Sequence, residues 1–520
     1  MQRSAVRKAA YFGLSLGLIG TLVAYADSVG SPSPATLTAV GTLTPRTRAV
    51  ISGEYAYLLG QSEVVAANIM PQKFAASPTG EAVLIAAYKS RPFRNVVLPP
   101  DKVDASATEF NLIHWDSRTR TAKTLYREMN PVDAPVRVQQ IEWIPQTNIA
   151  LVVLMQVTVS SNQQALEPQF SYNLLRVDAG TGRSTRIADL ASGLQVPNSA
   201  PGAVSASPSQ PMAYVRTQEG IAAKTGPLFR SSLRVYTPQG FRAPISLPDG
   251  VSDLSWMSDG KSVSSDRIVE RNAEGKIAVR KVLTVVNLET GQVTQPDKLP
   301  IIPKADRTKE ARMPRDSWAV NVAAGSATLQ DPDGKPQTTS ALWLRAATPP
   351  KKDSVPAATP KNPISADSLL IATNARVEME LATETTAAIL FTRDGTLCAA
   401  PVFRLPVTAF EEALRGVQRT ATMSNAKQLG LALMMYSQDY DENLPQNGAG
   451  VADQIGPYVR NPSLFQNPGT GENGFVFSYP GPSAQSQIAD PMKTQLGYVS
   501  GPGGRAIIWA DGHVTWEDMP

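Results

Sequence analysis

Near its end the chain reads Ala510-Asp511-Gly512-His513, which sets a carboxylate two residues from one of only two histidines. An acid and a base so spaced are the raw material of proton transfer, because imidazole titrates near neutrality. Other groups raise the same question. Asp439, Asp441 and Glu442 bring three carboxylates together, the donor type a hard cation such as calcium requires. Gly469-Thr470-Gly471-Glu472-Asn473-Gly474 has the spacing of a dinucleotide fingerprint, and Gly13-Leu14-Ser15-Leu16-Gly17 that of a hydrolase nucleophile elbow. His114, beside Trp115, is a candidate metal ligand, and Cys398 a candidate nucleophile.

The elements that must position these groups favour structural readings. With Asp511-Gly512 as a two-residue hairpin turn, Ala510 faces His513, Trp509 faces Val514 and Ile507 faces Trp516. One side of the ribbon then collects Ile507, Trp509, Val514 and Trp516 for burial against a helix, and His513 lies opposite. No neighbour in sequence supplies a nucleophile or metal. The glycine-rich run follows a proline loop and precedes a strand, so it reads as a turn. Asp439, Asp441 and Glu442 lack an EF-hand ligand run and read as a solvated helix end. His114 has no second histidine at ligand spacing. Cys398, in an apolar strand, reads as a small buried hydrophobe, and Trp143 and Trp256 read as core. The Gly13 to Gly17 motif falls within an apolar leader. No residue is assigned as catalytic, cofactor-binding or metal-binding, and no cofactor is expected.

That leader, residues 1–26, places Arg3, Arg7 and Lys8 before an apolar run and ends on Ala24-Tyr25-Ala26, the pattern of an export signal cut before Asp27. The alternative is an uncleaved anchor, since the 18 residues from Ala9 to Ala26 stand at the short limit for spanning a bilayer. Loss of the leader's three cations takes the net charge from +4 to +1. So balanced a chain lacks the basic stripe that nucleic-acid binding needs. The single cysteine excludes an intramolecular disulfide, so stability must come from packing. At 520 residues with 42 prolines and 36 glycines, several domains rich in turns and short strands are expected.

Between about residues 40 and 405 a loose repeat appears. Ala76-Ser77-Pro78-Thr79-Gly80, Trp143-Ile144-Pro145-Gln146-Thr147, Ala206-Ser207-Pro208-Ser209-Gln210 and Trp256-Met257-Ser258-Asp259-Gly260 each precede an apolar strand, at 83–87, 149–154, 212–215 and near Val263. A second hairpin follows each, near residues 113–116, 175–182, 233–236 and 285–291. Two hairpins make about four strands per unit. A degenerate unit is expected around residues 318–344 and a last one around 381–402, with a turn at Arg393-Asp394-Gly395-Thr396. The alternating stretch 37–59 offers a strand to close the ring and remove its exposed edges. Segments 304–315 and 346–365 read as long solvated loops.

The Trp256 to Lys261 turn resembles the Trp-Ser-Pro-Asp-Gly-Lys turn of TolB-like and WD40-like bacterial β-propellers. That resemblance covers about two-thirds of the chain and implies six or seven blades over residues 27–405. From Thr408 apolar residues Phe410, Leu414, Val417, Leu429, Leu433 and Tyr436 recur at helical spacing, and the helix ends at Asp439-Tyr440-Asp441. The blocks Ser424-Asn425-Ala426-Lys427-Gln428-Leu429-Gly430, Pro457-Tyr458-Val459-Arg460-Asn461 and the Asp511-Gly512 ending resemble the C-terminal part of bacterial pilin-like proteins, similar in plan to type II secretion pseudopilins. The resemblance implies a small α+β domain over 408–520, a long helix on an antiparallel sheet. It also marks departures. Family cysteines stand here as Thr422 and Asn467, a family histidine stands as Gly501, and the helix lacks its membrane half.

The expected molecule is therefore mainly β, exported to periplasm, cell surface or medium, and non-enzymatic: a propeller binding scaffold with a pilin-like interaction module. Its expected partners are a protein or glycan ligand of the envelope and secretion or pilus-like machinery, with membrane contact only through an uncleaved leader. The alternative is a secreted glycan or peptide hydrolase with acidic residues lining the propeller channel. Mass spectrometry of protein recovered from envelope and medium is expected to show Asp27 as the first residue. An intact Met1 terminus would establish the anchor instead.

Overall fold

The computed structural model describes residues 43–89, 108–130, 136–159, 168–193, 204–221, 223–297, 318–331, 333–347, 366–382, 386–445, 450–481 and 483–519. The leader at 1–26 and the expected loop at 304–315 lie outside them. Of the loop expected at 346–365, Ala346 instead ends a strand, paired with Val320, and 348–365 lie outside the described residues.

The chain is mainly β, built from antiparallel sheets. Six sheets precede the long helix among the described residues, and they follow one another in chain order. The first comprises Ile69–Ala76, Ala82–Lys89, Thr108–Asp116 and Thr121–Asn130; the second comprises Val136–Trp143, Ile149–Val159, Pro168–Asp178 and Arg183–Gly193. The third is built on Ala213–Gly220 and Phe229–Thr237, and the fourth on Ser262–Arg271 and Ile277–Asn287. The degenerate fifth unit has three strands, Val320–Gln330, Pro336–Ala346 and Ser368–Thr373. In the sixth, Ala375–Ala382, Thr386–Arg393 and Thr396–Pro406 are completed by Val50–Ser52, Tyr55–Leu59 and Glu63–Ala66 from the start of the described chain. Part of the 37–59 stretch thus supplies the closing strands.

The four repeat turns sit where the sequence puts them, between the first and second strands of the first four sheets, with Gly80 and Gly260 at φ +72° and +62°, and the position expected at Thr383 lies outside the described residues. At Asp394-Gly395 both residues have positive φ, the mirror-image turn that matches strand twist. The apolar runs of the first three sheets have a physical cause: there the second strand is buried on both faces. Val83, Ile85 and Ala87 enter a core shared with the sixth sheet, while Leu84 and Ala86 enter one shared with the second. Ile149, Leu151 and Val153 face the third sheet while Ala150, Val152 and Leu154 face the first. Met212 and Tyr214 face the fourth sheet while Ala213 and Val215 face the second. A core joining Trp318, Leu342 and Leu344 to Phe391 and Val402 links the fifth and sixth sheets. Successive sheets therefore stack face to face, in a propeller-like series closed by the start of the chain. Between the fourth and fifth, no shared buried cluster occurs among the described residues.

Thr396–Pro406 runs directly into the helix Val407–Asp439, whose buried residues include Phe410, Leu414, Gln418, Thr422, Ala426, Leu429 and Leu433, spaced three or four apart. The stripe serves two cores. Phe410 and Leu414 pack with Ala49, Ala56, Leu58, Phe403 and Leu405 of the closing sheet. Ala426, Leu429 and Leu433 pack on a four-stranded sheet of Phe475–Phe477, Gln495–Gly501, Gly504–Trp509 and Val514–Asp518. At the joint, Gln418 donates to the Pro45 carbonyl (2.8 Å), and Arg46 donates to Gln466 Oε1 (3.0 Å) and to the Pro468 carbonyl (3.3 Å). No helix among the described residues is long and apolar enough to cross a membrane.

Phe410 is fully buried where helix, closing strands and last sheet meet. Phe410→Ala is expected to cost about 3–5 kcal/mol, read as a lower urea midpoint at unchanged slope, because the cavity is walled by two elements that cannot both collapse into it.

Candidate functional site

The first strands of neighbouring sheets lie beside one another and carry most of the polar side chains placed between sheets. These groups are engaged with the backbone next door. Lys73 Nζ donates to the Gln139 carbonyl at 2.6 Å. Gln140 accepts from Val204 N (3.1 Å), donates to the Val204 carbonyl, and donates to Glu142 at 2.8 Å. Trp143 Nε1 donates to the Ala75 carbonyl and Trp256 Nε1 to Ser205 Oγ, both at 3.0 Å. In each pair a tryptophan beside the repeat turn bonds the strand at the corresponding turn of the preceding sheet. Ser207 Oγ likewise donates to the Gly260 carbonyl at 2.7 Å. Glu378 accepts from Thr392 at 2.8 Å. Lys73, Gln140, Trp143, Trp256 and Ser207 fix neighbouring sheets against one another, whereas Glu142 bonds Gln140 on its own strand and Glu378 bonds Thr392 within its own sheet.

One carboxyl is electrostatically distinct. Glu63 lies on the strand that pairs with 397–399, and burial pushes its pKa above the ordinary carboxylate value although the nearby Arg120 cation pulls it down. One of its oxygens is buried without a hydrogen-bond partner. Arg120, at φ +55°, sets its guanidinium 5.5 Å from the centre of the Phe403 ring. Such a carboxyl keeps its proton to higher pH than an exposed one, and in either state can take part in a hydrogen bond to a ligand. Nothing in its sequence context marked Glu63, because its environment is assembled from three distant segments.

The C-terminal hairpin departs from its expected register. Trp509 N donates to the His513 carbonyl at 3.1 Å, so Ala510, Asp511 and Gly512 form a three-residue loop with Gly512 at φ +85°. Ile508 faces Val514, Ile507 faces Thr515 and Ala506 faces Trp516, one position from the two-residue pairing. The face toward the helix is consequently Ala506, Ile508, Val514 and Trp516 rather than Ile507 and Trp509 with Val514 and Trp516. His513 does lie on the opposite side, where its ring stacks on Trp509 at 5.5 Å and 8°. Asp511 Oδ1 accepts from the His513 amide at 3.0 Å and contacts its Nδ1 at 2.5 Å. That backbone bond, more than the ring, holds the Asp511 carboxyl below its ordinary pKa. The pair braces the turn.

The remaining candidates are dispersed. His114 faces Lys123 across a strand pair, and burial is the chief cause that lowers its pKa. Cys398 is a buried free thiol whose pKa burial raises, the opposite of what a nucleophile needs. Trp143 and Trp256 are core residues with 7% and 3% exposure. Gly471 and Gly474 stand in a loop ordered by Asn467, whose side chain accepts from the Gly469 amide at 2.9 Å. Asp439 accepts a 2.7 Å bond from Tyr458, and Asp441 and Glu442 are exposed. Among the described residues no three His, Cys, Asp or Glu side chains gather as a metal site. Thr422 and Gly501, two of the departures from the pilin-like pattern, touch: a Cβ on Gly501 would come 2.4 Å from Thr422 Oγ1, so no side chain fits there.

No family model matches the chain, and no curated protein matches it. Among solved structures, it is similar to an oligogalacturonate lyase from Vibrio parahaemolyticus at 12% identity and TM-score 0.24, covering 70% of this chain and 100% of that one. It is similar to the WD40 domain of SCAP from fission yeast at 8% identity and TM-score 0.21, covering 67% and 90%. A Trypanosoma rangeli sialidase mutant matches at 10% identity and TM-score 0.20, covering 75% and 62%. The architecture therefore rests on this chain's own strand order and shared cores.

Glu63 binds protons more readily folded than unfolded, so folding stability should fall as pH rises from the ordinary carboxylate value through the raised one. Glu63→Gln is expected to remove that slope. Urea midpoints of both proteins between about pH 4 and pH 7 check it, with the variant gaining on the wild type toward the upper end.

Proposed function

We propose that this is an exported, non-enzymatic protein of the envelope or medium, in which six sheets form the blades of a closed propeller used as a binding scaffold, with a pilin-like C-terminal module fixed to it. The observation that carries this reading is the joint: one helix contributes a continuous buried stripe to both cores, and Arg46 and Gln418 bond across it. A module so fixed presents its loops and those of the sheets in constant relative positions, which is what a scaffold for a large ligand requires. Lys73, Gln140, Trp143, Trp256 and Ser207 are spent on holding neighbouring sheets together, which supports binding over turnover.

The export leader, the envelope location and a protein or glycan ligand belong to the same proposal. Immobilised full chain washed with envelope fractions is expected to retain a protein or glycan uncleaved. Saturable cleavage of the retained material, abolished by Glu378→Gln with the circular dichroism spectrum unchanged, would replace binding with hydrolysis.

A further inference from the structure

Two of the exposed apolar patches have opposite charge. On the fourth sheet, Ile277 and Val279 are 69% and 60% exposed, an unusual position for β-branched aliphatic side chains. Strand alternation puts Ile277, Val279 and Lys281 on the side away from the core that takes Val282 and Val286. This side lies toward the seam where no buried cluster joins the next sheet. The hairpin is rigid at its tip, where Asn272 Oδ1 accepts from the amides of Glu274 (3.1 Å) and Lys276 (2.9 Å). Residues 271–281 carry a net charge of +3. Arg267 and Arg280 are neutralised by Asp253, Asp266 and Glu270, whereas Lys276 and Lys281 have no ion pair among the described residues. Arg271, opposite Ile277, has a buried Nε without an acceptor.

The second patch ends the long helix. Leu431 and Met435, one turn apart on the face away from the C-terminal sheet, are 54% and 50% exposed. They lead to exposed Asp439, Tyr440, Asp441 and Glu442, with no basic residue in the last turn. Residues 438–443 carry −3, and the helix C-terminus adds partial negative charge. Tyr440 is pinned by stacking on Tyr436 at 4.2 Å, so this end is rigid too.

We propose that these two surfaces are partners: the basic apolar hairpin around Ile277 and Val279 of one copy docks on the acidic apolar helix end around Met435 and Glu442 of another. Aliphatic side chains meet across the centre, Lys276 and Lys281 meet Asp441 and Glu442 at the rim, and each copy keeps one of each patch free. The contact is heterologous, so it propagates head to tail instead of closing as a symmetric dimer. Both patches are small, which puts the interface at the weak, transient end of the size range and makes it sensitive to salt.

Sedimentation equilibrium of the full chain over about a hundredfold range of concentration is expected to show a mass that rises with concentration and falls with added salt. Lys276→Glu/Lys281→Glu and, separately, Asp441→Asn/Glu442→Lys should each weaken association at least about tenfold. Asparagine is chosen at 441 because it tolerates the φ of +51° there. Mixing the two variants should restore association between unlike chains, since the intact helix end of the first then meets the intact hairpin of the second. Ile277→Ser/Val279→Ser, wholly at the surface, should weaken it as well, which covers the case in which a charge variant does not fold. A chain that stays monomeric throughout, variants that associate as the wild type does, or a mixture as weak as its components would each overturn the proposal.

Discussion

The structure depends on one packing constraint, the sharing of a single helix face between two hydrophobic cores. Phe410 and Leu414 are buried against strands from both ends of the sheet region, and Ala426, Leu429 and Leu433 against the sheet formed by Phe475–Phe477, Gln495–Gly501, Gly504–Trp509 and Val514–Asp518. Because the helix is continuous from Val407 to Asp439, neither core can move without disturbing the other. The residues between them, Gln418 and Thr422, are polar and buried, and each has a place: Gln418 bonds Pro45, and Thr422 bonds the Gln418 carbonyl while closing against Gly501. Burial of polar groups at a junction is tolerated because they are bonded there.

The same economy governs the sheets. A strand covered on both faces needs apolar side chains at every position, which is why Val83 to Ala87 and Ile149 to Leu154 read as unbroken runs. What keeps such sheets in register is polar: the Trp143 indole and the Gln140 amide reach the backbone of a neighbouring first strand, and the Trp256 indole reaches the Ser205 hydroxyl of another. These bonds are directional, so they set the rotation between sheets that nonspecific apolar contact leaves free. Between the fourth and fifth sheets the pattern lapses, and there the aliphatic side chains stay exposed.

The residue pair that most resembled chemistry, Asp511 and His513, serves as the brace of a hairpin, with the imidazole laid flat on Trp509. Among the described residues the carboxyl whose pKa is raised, Glu63, owes it to burial on a closing strand, against the opposing pull of Arg120.

The sequence by itself determined the element types and their order. Turns at Gly80 and Gly260, the paired hairpins of the first four units, a degenerate fifth unit, closing strands from the start of the chain and the helix beginning near Val407 all follow from local period and turn chemistry. It misplaced the last hairpin by one residue, because Asp-Gly fits both a two-residue turn and the end of a three-residue one. Only packing of Ala506 and Ile508 against the helix selects between them. Tertiary structure alone decided which groups became electrostatically distinct and which aliphatic residues stayed uncovered. Glu63, Arg120 and Phe403 are far apart in the chain, and whether Ile277 or Leu431 meets a neighbour depends on how whole sheets and helices stack. Turn chemistry acts over a few residues, but desolvation is set by whatever the rest of the chain brings alongside.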